Sequence, residues 1–175
     1  MKREWFIEDD RERAAFHEAG HVVRAWCLHE GSVQGVRVHN DSAEVTVNLA
    51  GFSAEEKTTV AVAGALSEAR SVGQLGDGWL PVAARMTCHH YFRHHEYPGQ
   101  LITVSLNDGN SVDVSFSDED FFQIDGDFHG NSLKLEEVIR DTVQWLDQDW
   151  ASVEKVANQL LENDELTGDA LADIL

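Results

Sequence analysis

A mainly helical α+β fold with small β-hairpins is predicted for this chain of 175 residues. Three observations predict it. Apolar residues recur at helical spacing behind recognisable helix starts. Two pairs of short runs alternate in β-branched residues around turn-forming clusters. The composition, 42% apolar and 26% charged, is that of a globular protein. The length suits one domain with its own hydrophobic core, so residues 1–175 are expected to form a single unit.

The first helix is expected from Asp9 to about Leu28, with Asp9 as N-cap and Glu12 as its capping-box partner. Ala14-Ala15-Phe16 and Val22-Val23-Arg24-Ala25-Trp26 make it apolar over much of its circumference, hence buried. Ser32–His39 and Ala43–Leu49 flank the turn formers Asn40-Asp41-Ser42 and should pair as a hairpin. Ser53-Ala54-Glu55-Glu56 is a second capping box. It opens a helix whose Val60, Ala63, Gly64, Leu66, Ser67 and Ala69 form a face of small residues built for close packing. After the Gly-rich stretch Gly73–Gly78, a third helix is predicted from Trp79 to about Phe92, with Pro81 tolerated in its first turn.

Gln100–Leu106 and Ser111–Phe116 alternate around Asn107-Asp108-Gly109-Asn110, and Asp-Gly is a strong hairpin signal. An acidic loop from Ser117 to Asn131 leads into helices near Leu133–Leu146, Trp150–Leu161 and Thr167–Ile174, the last capped by Thr167. Trp5, Trp26, Trp79, Trp145 and Trp150 are read as core or interdomain packing.

Bulk properties exclude several roles. Thirteen Lys and Arg against 32 Asp and Glu leave a net charge of −19, which repels nucleic-acid phosphates and anionic membrane surfaces. No apolar run approaches the roughly 18 to 20 residues that cross a bilayer. Cys27 and Cys88 do not make a disulfide framework, and no signal peptide opens the chain, so a reducing cytoplasm is expected.

The chemistry is concentrated in His17-Glu18-Ala19-Gly20-His21. Histidines four apart on a helix project from one face, within reach of a single metal ion. Neutral imidazoles suit Zn2+, which polarises a scissile carbonyl. Glu18 lies where it can take a proton from the attacking water and pass it to the leaving amine. Two histidines and a glutamate buried together need partners, and a metal supplies them. Catalytic zinc also needs a third protein ligand.

Phe16-His17-Glu18-Ala19-Gly20-His21-Val22-Val23 resembles the zinc-binding helix of the FtsH family of ATP-dependent metalloproteases. Val62-Ala63-Gly64-Ala65-Leu66-Ser67-Glu68-Ala69 is similar to that family's Ala-Gly-x-x-Ala-Glu helix. Leu160-Leu161-Glu162-Asn163-Asp164-Glu165-Leu166-Thr167-Gly168 resembles its C-terminal Leu-Leu-x-x-Glu-Thr-Leu segment. The resemblance implies a helical zinc-metalloprotease domain with His17 and His21 as ligands and Glu18 as general base. It also implies a third ligand from an aspartate that begins the helix after the Ala-Gly helix. Asp77, followed by Ala83-Ala84-Arg85-Met86, occupies the matching place. Glu68 is the alternative ligand, since other zinc peptidases take a glutamate from the helix after the motif; by the resemblance it supports the ligands from outside the shell.

No Gly-x-x-x-x-Gly-Lys-Ser/Thr phosphate loop occurs in the chain. The expectation is therefore a stand-alone, ATP-independent FtsH-like peptidase acting on peptides or unfolded proteins. Assembly into a homo-oligomer or with a motor acting in trans is compatible with it. The rival expectation is a zinc-containing binding or regulatory module without turnover. The hairpin and acidic loop at about 98–131 have no family counterpart and are read as an insertion that covers the site or binds a partner. Cys88-His89-His90 and His94-His95 offer donors for a second metal, but the simpler reading is a helix end whose histidines face solvent or complement the helix dipole. Asp118–Asp127 lacks the EF-hand order of ligands and is read as a solvated loop.

Overall fold

Helix α1 (Glu8–Leu28) packs against two other helices and a β-hairpin in a computed structural model that describes residues 8–39, 43–73, 81–93, 97–106, 109–117, 120 and 132–175. Its apolar pattern has the expected result: Ala15, Phe16, Ala19, Val22, Val23 and Ala25 are all at most 8% exposed. Asp9 is already helical within α1 and is therefore not the N-cap.

The chain then turns into the expected hairpin, β1 (Val33–Val38) antiparallel to β2 (Ala43–Val47), with Val36 opposite Val45. Its turn, 40–42, lies outside the described residues. Helix α2 (Ala54–Ser71) opens on the predicted capping box. The Glu56 N–H donates to Ser53 Oγ at 3.2 Å, and the Ser53 N–H donates to Glu56 Oε2 at 2.7 Å. Every residue from Thr58 to Ala69 is buried. The reason is close contact with α1: a Cβ added at Gly20 would meet Ser67 Oγ at 2.4 Å and the Ala63 carbonyl oxygen at 2.5 Å.

The predicted third helix is a strand. Residues Pro81–Arg93 form β3, antiparallel to β4 (Tyr97–Leu106), which pairs on its other side with β5 (Ser111–Ser117). Pro81 fits as the first residue of a strand, where its missing N–H removes no ladder bond. Val82, Thr87, Tyr91 and Phe92 favour extended backbone, and pairing with β4 adds what local propensity alone does not decide. The expected β4–β5 hairpin is present, with Gly109 at φ +85° in its turn, a conformation glycine adopts without steric cost. Cys88, His89 and His90 therefore lie on β3, not at a helix end, while His94 and His95 fall outside the described residues.

Helix α3 (Ser132–Asn163) is continuous where two helices were predicted. The supposed break, Asp147-Gln148-Asp149, contains neither Gly nor Pro, and the buried residues Leu146, Val153, Ala157 and Leu160 keep helical spacing across it. Phe16 of α1 stacks on Trp150 with ring centroids 5.5 Å apart, and the Arg70 guanidinium covers the same indole at 4.6 Å. Strand β6 (Glu165–Thr167) returns to pair antiparallel with β1, and Thr167 caps α4 (Gly168–Ile174) by accepting from the Ala170 N–H at 3.3 Å.

The fold is thus α+β: helices α1, α2 and α3 pack on one another, and each expected hairpin gains a third strand, giving sheets β2-β1-β6 and β3-β4-β5. The β3-β4-β5 sheet touches the helices through β3 on α3 and β5 on α2. Among the described residues no helix is long and apolar enough to cross a membrane.

Two outcomes follow from this packing. Gly20→Ala places a methyl group against a main-chain carbonyl that no rotamer change can clear, and is expected to destabilise the fold by about 1–3 kcal/mol in chemical denaturation. In the α2 capping box, the Ser53 backbone N–H holds the Glu56 carboxyl below its ordinary range. A carboxyl lowered in the folded state contributes stability above its unfolded pKa of about 4.3 and loses it as the pH falls below that value. Melting temperatures of Glu56→Gln and the parent should therefore differ at neutral pH and converge in acid.

Candidate metal centre

His17, Glu18 and His21 lie in the buried stretch of α1, at 6%, 7% and 6% exposure. They face the small-residue surface of α2, and the absence of a side chain at Gly64 admits the His21 ring: a Cβ there would lie 2.4 Å from its Nε2. The two imidazoles meet edge to face with centroids 4.7 Å apart.

The inner nitrogens are both held by α2. His21 Nδ1 is 2.8 Å from the Val60 carbonyl oxygen, which can only accept, so His21 Nδ1 carries the hydrogen and donates. His17 Nδ1 is 3.1 Å from Glu68 Oε2 and donates to that carboxylate in the same way. In the neutral rings this leaves the lone pair on Nε2 in both cases. Both Nε2 atoms point to one place, where the Asp120 carboxylate meets them: Oδ2 is 3.3 Å from His17 Nε2 and Oδ1 is 3.7 Å from His21 Nε2.

Three acceptors converging in a largely buried position call for a cation between them. The donor atoms of His17, His21 and Asp120 all lie within 4.8 Å of one another, and the cluster can hold a metal ion. Bonds of about 2.0–2.2 Å in a tetrahedral shell set ligand atoms roughly 3.3–3.6 Å apart. The histidine–aspartate separations of 3.3 Å to Oδ2 and 3.7 Å to Oδ1 lie close to that spacing.

The expected histidine pair is brought together with a carboxylate, but that carboxylate was not anticipated. Asp77 lies outside the described residues. Glu68 touches the Nδ1 side of His17, away from the converging Nε2 atoms, and so supports a ligand without joining the cluster. Asp120 comes from the acidic stretch read as a solvated loop; that reading fails for this residue, whose side chain is only 14% exposed. Nothing local singles it out from its acidic neighbours, because its proximity to His21 depends on the path of β3, β4 and β5.

Zinc titration against a competing chelator distinguishes the carboxylates. Asp120→Ala should lower affinity by orders of magnitude and Glu68→Gln by about 10–100-fold, while Asp77→Ala tests the aspartate that the family resemblance implies. A larger loss in Asp77→Ala than in Asp120→Ala would move the third donor back to Asp77.

No protein-family model matches the chain and no curated protein matches it significantly, so what this centre can hold follows from its own donor set.

Proposed function

We propose that this chain is a zinc-dependent peptidase, similar in its site to the FtsH peptidase domain, that hydrolyses peptide bonds in peptides or unfolded proteins without itself using ATP. The observation that carries the reading is the convergence of His17 Nε2, His21 Nε2 and Asp120, with buried Glu18 on the same helix. Two imidazoles and one carboxylate are a donor set of catalytic zinc, which leaves a coordination position open. The family's third ligand is an aspartate that begins the helix after the Ala-Gly helix. By that resemblance the aspartate is Asp77, which lies outside the described residues; Asp120 is the carboxylate that meets the two histidines.

Zinc held here supplies Lewis acidity toward the scissile carbonyl and the attacking water. The chain's own residues do the rest. His17 and His21 hold the ion with their Nε2 atoms, each ring fixed through Nδ1. Glu18, one residue beyond His17 and three before His21, stands beside them; its carboxylate takes the proton of the water and returns it to the departing amine. His17, Glu18 and His21 are themselves buried, and charges removed from water act more strongly on a polar transition state.

Glu18→Gln tests the assignment. Cleavage of a quenched unfolded-protein substrate should fall at least about 100-fold while zinc content is retained, and chelator should abolish the parent's activity. Zinc binding without turnover across a panel of peptides and unfolded proteins would favour the non-catalytic module.

A further inference from the structure

The ridge of α1 that carries His17 and His21 begins one turn earlier with Arg13, at the same four-residue spacing. Arg13 reaches across to α2, with Nη2 at 2.9 Å and Nε at 3.2 Å from Glu68 Oε1. Oε2, the other oxygen of Glu68, is the one that receives His17 Nδ1–H. The carboxylate is thus divided, one oxygen to the guanidinium and one to the imidazole.

The two histidines differ in what orients them. His21 leans on the Val60 carbonyl, a main-chain group already rigid within α2. His17 leans on a side chain, and a glutamate can swing unless something holds it. Glu68 is 3% exposed, and a carboxylate that deep needs compensation. Arg13, with its side chain 36% exposed, brings a full positive charge from the solvent edge. Its planar guanidinium applies two N–H groups to one oxygen, which holds Oε1 in place.

We propose that Arg13 is a positioning residue of the metal centre: it holds Glu68 so that Oε2 sets the ring orientation of His17 and hence the direction of its Nε2 donor. The proposal rests on the reading of His17, His21 and Asp120 as a metal centre, and not on turnover.

The test uses the full chain, with zinc affinity from chelator competition and the visible spectrum of the cobalt(II) form as a readout of ligand geometry. Arg13→Ala should lower zinc affinity about 10–100-fold and shift the cobalt bands. Arg13→Lys, which keeps the charge and loses the fork, should recover part of the affinity. Added to Glu68→Gln, Arg13→Ala should cost nothing more, since its effect passes through Glu68.

A folded Arg13→Ala with parental affinity and parental cobalt spectrum overturns the proposal, and so do losses that simply add in the double variant. If Arg13→Ala does not fold, Arg13→Gln decides on the same two readouts. A parent chain that takes up neither metal overturns the centre and this inference together. A parent that binds zinc but cleaves nothing removes only the peptidase reading.

Discussion

The close approach of α1 to α2 is the constraint on which the rest of the structure depends. It exists because each helix presents a glycine where the other is most crowded: Gly20 faces Ser67 and the Ala63 carbonyl, and Gly64 faces the His21 ring. Without a Cβ at either position the backbones come near enough for α2 to reach both Nδ1 atoms, one by a main-chain oxygen and one by a carboxylate. Those two hydrogen bonds decide the tautomers, and the tautomers decide that both Nε2 lone pairs face the same point. Helix packing therefore determines the coordination chemistry.

That arrangement takes His17, Glu18, His21 and Glu68 out of water together, in a chain already at net charge −19. An unsatisfied buried polar group costs about 1–3 kcal/mol, so such a cluster persists only if each member is answered. Val60, Glu68 and Arg13 answer the Nδ1 side. On the Nε2 side, Asp120 adds another negative charge, which is favourable only when a cation lies among the three.

Much of this was legible where local chemistry and tertiary structure agree. The capping box Ser53–Glu56, the small face of α2, the Asp-Gly hairpin and the Thr167 cap all follow from short-range rules, and the structure contains each. Residues 81–93 were misread because a proline in a helical first turn and a proline opening a strand look alike in sequence; the partner strand β4 separates the two cases. The break in α3 was misread because polar residues at 147–149 suggested a loop, although no helix breaker is present. Asp120 was illegible for a different reason. A ligand four residues from another is fixed by helix geometry, whereas one about a hundred residues away is fixed by topology.

The origin of the third donor has a mechanical consequence. His17 and His21 belong to the α1–α2 core, whereas Asp120 follows directly on β5, the edge of the second sheet. Any ion bound by all three joins those two parts of the chain at one point, and it closes a loop whose entropy the unfolded chain keeps. Free energy of binding would then become free energy of folding. The β3-β4-β5 sheet meets the helices only through β3 on α3 and β5 on α2 among the described contacts. An ion held there would tie the two parts together: the histidines are in place once α1 meets α2, and the third donor arrives only with Asp120, just beyond β5.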